Sequence, residues 1–191
     1  MKRGKRITAF LGALLMAAAL TACGSQGTGG GVSTGGAQQD TLVAYFSYSG
    51  NTEAVAQQIA DYTGGTLVEI QRSTPYDDVN AEGEEELNSN ARPEITVDLE
   101  SIEEYDTVFI GYPIWWDEAP MVISTFLESY DLGGKTIAPF CTSGGSGISG
   151  AVSEIEALEP SATVTEGLRT TAGDAESDFN QWLSAIGMSE Q

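Results

Sequence analysis

Between residues 41 and 187, short apolar runs alternate with stretches whose apolar positions recur every three or four residues. Thr41-Leu42-Val43-Ala44-Tyr45-Phe46 is the first run, and it stops at Ser47-Tyr48-Ser49-Gly50-Asn51. An unbroken run of this kind fits a strand buried on both faces. Val55, Ile59 and Tyr62 then share one helical face, which Gly64-Gly65 ends. Thr66–Ile70 and Thr107–Gly111 read as the second and third strands. A helix is predicted from near Pro120, with Val122, Ile123, Phe126, Leu127 and Tyr130 as its stripe. Lys135–Cys141 is the fourth strand, although Pro139 is awkward in a central position. Ile148, Val152, Ile155 and Leu158 predict another helix, and residues 162–165 a weak strand. The last helix runs from about Asp174, as N-cap, to Gly187, with Phe179, Trp182, Leu183 and Ile186 facing inward.

Strands alternating with helices imply a parallel sheet covered on both faces. Residues 72–98 break the alternation. They are polar, include Glu84-Glu85-Glu86, and read as a long excursion with one short helix and a solvated acidic face.

The segment before residue 40 follows another pattern. A basic stretch, Met1–Arg6, precedes a 14-residue apolar run from Ile7 to Leu20, short for a membrane-spanning helix. Leu20-Thr21-Ala22-Cys23 resembles the bacterial lipoprotein box. That resemblance implies a signal peptide over 1–22 and a diacylglyceryl anchor on Cys23, with the domain held extracytoplasmically at the cell membrane. Residues 24–39 carry no charge and consist of Gly, Ser, Thr, Gln, Ala and one Val, which is expected of a flexible tether. The globular domain is expected over 40–188. If Cys23 is acylated, Cys141 has no partner for a disulfide within the chain.

Charge sharpens the picture. The chain has 8 basic and 28 acidic residues and no histidine, and four of the basic residues are Lys2, Arg3, Lys5 and Arg6. Such an acidic domain would be repelled by nucleic acid, and it would steer towards a basic partner. No histidine is available for proton transfer, and no Cys/His cluster suggests a metal. Cys141, alone at a strand end, reads as a small buried residue rather than a nucleophile. No catalytic residue is assigned.

Ligands of open α/β sheets bind outside the carboxyl ends of the strands. Three loops there have unusual compositions. Ser47, Tyr48, Ser49, Gly50, Asn51 and Thr52 combine hydroxyls, a glycine and a helix N-terminus, a nest for an anion that needs no Lys or Arg. The loop lacks the Gly-Lys-Ser/Thr ending of the nucleotide P-loop and the GxGxxG dinucleotide fingerprint. Pro113, Ile114, Trp115 and Trp116 follow the third strand, and adjacent tryptophans in a loop offer one ring to a flat aromatic ligand. Thr142, Ser143, Gly144, Gly145 and Gly147 follow the fourth strand, where glycines let backbone N–H groups approach a ring edge.

Ser47, Ser49, Gly50 and Thr52 match the Ser/Thr-x-Ser/Thr-Gly-x-Thr phosphate loop of the flavodoxin family, which this chain resembles. Gly-Tyr-Pro-x-Trp-Trp at 111–116 and the glycine loop at 142–147 also look like the flavin-contacting loops of that family, and Glu166-Gly167-Leu168-Arg169 looks like one branch of it. The resemblance implies a doubly wound sheet of about five parallel strands with helices on both faces. It also implies noncovalent FMN, with the phosphate at 47–52 and the ring between the other two loops. The function it implies is electron transfer to a redox protein or to a small acceptor, by a monomer, and the acidic surface favours a basic partner. Two alternatives stay open: an NAD(P)H-dependent quinone or nitro-compound reductase, and a flavin-binding lipoprotein without a redox partner. The acidic surface is expected to disfavour the anionic reduced flavin and lower its potential.

Overall fold

The computed structural model describes residues 40–171 and 176–188. The expected signal segment, Cys23, the tether and the Asp174 cap lie outside the described residues.

Five segments form the spine of one sheet. They are β1 (Thr41–Tyr45), β2 (Thr66–Arg72), β4 (Thr107–Pro113), β5 (Thr136–Thr142) and a broken last strand made of β6 (Thr163–Val164) and β7 (Leu168–Thr170). All of these pair in parallel, whereas β3 (Ile95–Val97) adds to β2 antiparallel. The spatial order is β3-β2-β1-β4-β5-β6, with β7 also on β5. The chain therefore winds outward from β1 to β2, then crosses to β4 and winds the other way. That reversal opens a crevice outside the carboxyl ends of β1 and β4.

Alternation along each strand supplies two cores. Leu42, Ala44, Val108, Ile110, Tyr112, Ile137 and Cys141 join α3 (Met121–Ser129) and α4 (Ser149–Leu158) on one face. Val43, Tyr45, Phe109, Ala138 and Phe140 join α1 (Asn51–Thr63) and α5 (Glu176–Ala185) on the other. These side chains are almost wholly buried, and each large one contributes about 1.5–3 kcal/mol over its exposed state.

Pro139 sits in β5 without breaking it. Thr136 N–H donates towards β4, and the Lys135 and Ile137 carbonyls accept from Thr163 and Thr165 on the opposite side. The alternation turns position 139 to that opposite side, where pairing has stopped at Val164 and resumes only at Leu168. The N–H that proline lacks thus falls at the gap between β6 and β7.

The 72–98 excursion is more ordered than its composition suggests. It holds the 11-residue α2 (Val79–Ser89) and then β3. Asp78 caps the N–H groups of Asn80 and Ala81, while Glu82 reaches back to the N–H groups of Asp77 and Asp78. This reciprocal arrangement has the logic of a capping box. Nor is the acidic run wholly solvated, because Glu86 is buried, accepting from Arg72 Nε at 2.9 Å and from the Tyr76 hydroxyl at 2.9 Å. The run holds one structural carboxylate whose charge is paired.

Candidate functional site

The three loops singled out by sequence meet at the crevice. The first leaves β1 at Phe46, whose N–H donates to the Gly111 carbonyl at 2.9 Å. Ser47 Oγ accepts the Gly50 N–H at 3.1 Å, and Gly50 takes φ of 84° as the N-cap of α1. A side chain in that left-handed region would be strained, so glycine fits the turn. No side chain caps α1, so its first N–H groups are left for an external acceptor. Tyr48, Ser49, Gly50 and Asn51 are exposed, Ser47 is half-buried, and Thr52 is buried. Thr52 Oγ1 lies 2.8 Å from Thr142 Oγ1, a bond that joins the first loop to the end of β5.

The second loop is a tight two-residue turn. Trp115 and Glu118 exchange both backbone hydrogen bonds, at 3.0 and 2.9 Å. Trp116 and Asp117 between them have φ of 48° and 68°. Two consecutive positive values match a type I′ hairpin turn, in which Asn, Asp and Gly are usual and tryptophan is not. The two indoles diverge, with centroids 6.2 Å apart and planes at 73°. Trp115 is packed edge-on against Phe46, Tyr48 and Tyr76. Trp116 keeps 42% of its surface exposed and Tyr48 54%, and these are the exposed large hydrophobics of the described domain. Pro113 ends β4 opposite Thr142, and Ile114 turns into the core on the α3/α4 side.

The excursion supplies that support. A Cβ at Gly83 would stand 3.1 Å from the Trp116 ring and 3.3 Å from the Trp115 ring. Tyr76, under Trp115, carries the Arg72 guanidinium 4.4 Å from its ring centroid. Burial, then the hydrogen bond to Glu86, raise the Tyr76 hydroxyl well above its ordinary range and keep it a donor. Sequence reasoning missed Tyr76 and Gly83. A glycine inside an otherwise helix-forming acidic segment was the available signal.

In the third loop, Thr142 and Ser143 are buried, and Ser143 N–H donates to the Thr170 carbonyl at 3.1 Å. Ser143 Oγ accepts the Gly145 N–H at 3.3 Å. A Cβ at Gly144, Gly145 or Gly147 would meet nothing within 4 Å, so the backbone here faces open space. Arg169 on β7 donates from Nε to the Ser146 carbonyl and from Nη2 to the Ser143 carbonyl, both at 3.1 Å. Arg169 was not among the expected site residues.

Behind the tryptophan turn, Glu118 lies beside Glu154 of α4. Burial first, then the charges of Glu154 and Asp117, raise the Glu118 carboxyl above its usual range. Cys141 is fully buried, and burial pushes its thiol up to about 12, so it is a packing residue and no thiolate.

The crevice thus offers free helix N–H groups and hydroxyls at a first loop that holds no cation, exposed aromatic faces, and an open glycine backbone strapped by Arg169. That set fits a phosphorylated flat aromatic molecule.

A family model described as Flavodoxin matches residues 40–186. A protein from Bacteroides eggerthii DSM 20697 assigned as a flavoprotein is 37% identical, with a TM-score of 0.72 over 78% of this chain and 99% of that one. A second so assigned, from Bacteroides uniformis ATCC 8492, is 39% identical, with a TM-score of 0.70 over 76% and 98%. The flavoprotein of Lactobacillus acidophilus NCFM, solved in complex with FMN, is 25% identical, with a TM-score of 0.61 over 75% and 98%. A search of the curated proteins found no match.

Proposed function

The chain belongs to the flavodoxin family, and from this premise we propose that it is an FMN-binding electron-transfer protein held at the outer face of a cytoplasmic membrane by a lipid on Cys23. The observation that carries the cofactor reading is the uncapped N-terminus of α1, in a loop that carries Ser47, Ser49 and Thr52. A phosphate there receives N–H and O–H donors and the positive end of a helix without any cation.

Bound FMN supplies the electron-accepting ring, and the protein supplies binding and orientation. Ser47, Ser49, Gly50, Asn51 and Thr52 hold the phosphate. Tyr48, Trp115 and Trp116 offer aromatic surface to the ring, and the open backbone of Gly144, Gly145 and Gly147 takes its polar edge. The Thr52–Thr142 bond fixes the spacing between the phosphate and ring-edge loops. The acidic surface favours a basic redox partner, since Arg72 and Arg92 are already spent on Glu82, Glu86 and Glu128. The anchor reading rests on the register of the basic stretch, apolar run and Cys23.

The test is to purify the full chain and record its visible spectrum with FMN added. Flavin bands and quenched flavin fluorescence are expected. A combined Ser47→Ala and Thr52→Ala change should weaken FMN about a hundred-fold and riboflavin far less. Equal losses for both ligands overturn the phosphate assignment. Turnover of NAD(P)H with a quinone would instead make the protein a reductase. Cys23→Ser should release the chain from membranes, and a released fraction no larger than wild type removes the anchor.

A further inference from the structure

Arg169 is tied to the ring-edge loop in an unusual way. Its guanidinium bonds two main-chain carbonyls, Ser143 and Ser146, three residues apart in one loop. Both oxygens are thereby turned towards the β7 side and occupied. Between and beyond them, Gly144, Gly145 and Gly147 have open space where a side chain would stand. Among the described residues, no acceptor takes the Gly144 or Gly147 N–H. The strap therefore sorts the loop: carbonyls face the cation, and N–H groups are left for an acceptor.

The charge matters as well as the geometry. Four basic residues lie in the described part of the chain: Arg72, Arg92, Lys135 and Arg169. Arg72 pairs with Glu82 and Glu86, and Arg92 with Glu128. Lys135 donates to the Glu103 and Tyr105 carbonyls, before β5 begins and so at the opposite end of the sheet from the crevice. Among the described residues, Arg169 makes no ion pair with a carboxylate and is the cation at the crevice. Its field already reaches the neighbouring strand, where it works against the burial that raises the Cys141 thiol.

We infer that Arg169 is a positioning residue that straps the 143–146 carbonyls away from the crevice and sets a positive charge behind the polar edge of the flavin, so that reduced FMN is held more tightly relative to oxidised FMN than the acidic surface alone would allow. This rests on the reading that the glycine loop takes that edge. Reduction adds negative charge to the ring, and a nearby cation favours the more negative form. Arg169 is an exposed residue, so added salt weakens the effect.

The test compares wild type with Arg169→Gln and Arg169→Lys. In Arg169→Gln, reduced FMN should lose about five-fold or more affinity beyond any loss of oxidised FMN, seen as a lowered reduction potential that converges on wild type in high salt. Arg169→Lys keeps the charge but loses the bidentate fork. It should keep most of the potential, while amide exchange at Gly145, whose N–H is bonded to Ser143 Oγ, speeds up in the flavin-free protein as in Arg169→Gln. An unchanged potential in Arg169→Gln overturns the inference, whatever the exchange shows. Should that variant fail to fold, the wild type decides: the Arg169 Nε–H resonance should exchange slowly and shift on flavin reduction, and a resonance that does neither overturns it. If wild type binds no FMN, the functional reading falls instead, and the exchange measurement still decides the strap.

Discussion

Thr52 and Thr142, ninety positions apart in sequence, share a buried hydroxyl–hydroxyl bond of 2.8 Å. One stands in the first turn of α1 and the other ends β5, so the bond spans the two sides of the topological switch. Removing one hydroxyl leaves the other buried without its partner, which costs about 1–3 kcal/mol, whereas removing both costs less than the sum. Thr52→Val and Thr142→Val should each lower stability by that amount in denaturant titrations, and the double variant should recover part of the loss. Strictly additive losses would mean the two hydroxyls act separately.

Gly83 is where the excursion meets the tryptophans. Alanine would add helix propensity of about 1 kcal/mol, but its methyl would sit 3.1–3.3 Å from both indoles. Gly83→Ala should therefore change stability by about 1 kcal/mol or less in either direction. Gly83→Leu cannot be accommodated without displacing Trp116. It should shift tryptophan emission and weaken FMN and riboflavin alike, since the ring rather than the phosphate loses its support. A Gly83→Leu protein with wild-type emission and flavin affinity would show that α2 does not seat the pair.

How far the sequence was legible follows from where each signal is stored. The runs at β1, β4 and β5 are buried on both faces, so composition alone marks them, and the hydroxyl loop at 47–52 is local in sequence and local in space. The excursion was harder. Its helix is fixed by capping exchanges among Asp77, Asp78 and Glu82, and Glu86 is inside only because Arg72 and Tyr76 come to it from other segments. A charge run read by itself cannot disclose a partner 14 positions away. β3 is three residues long and β7 likewise, below the length at which alternation can be recognised. Arg169 carried no motif weight of its own, because its role depends on a loop more than twenty residues earlier.

The Glu118–Glu154 pair makes a pH prediction. In the folded chain, burial and two neighbouring carboxylates raise the Glu118 carboxyl, while in the unfolded chain it titrates near about 4.3. The folded state then binds the proton more tightly than the unfolded state. Glu118 contributes no penalty below the unfolded value, and it destabilises progressively as pH rises from there through its raised folded value. Glu118→Gln removes this titration. Its stability relative to wild type should increase with pH above the ordinary carboxylate range and then level off. A difference that stays flat from acid to neutral pH would mean that Glu118 carries no raised pKa.

Asp117 joins this electrostatics to backbone strain. It holds φ of 68° directly after Trp116 at 48°, and α4 crowds the turn, since a Cβ at Gly150 would lie 3.3 Å from the Asp117 carbonyl. Left-handed backbone costs an ordinary L-residue about 1–2 kcal/mol, less for Asp or Asn and nothing for Gly. Asp117→Asn keeps that tolerance and removes the charge, so it should raise stability slightly and lower the pH at which the Glu118 effect levels off. Asp117→Ala removes the charge but restores the full backbone cost, so it should be about 1 kcal/mol less stable than Asp117→Asn. Thermal melts at neutral pH separate the two causes: equal midpoints for Asn and Ala would show that the turn is unstrained at 117, and that its charge alone is felt by Glu118.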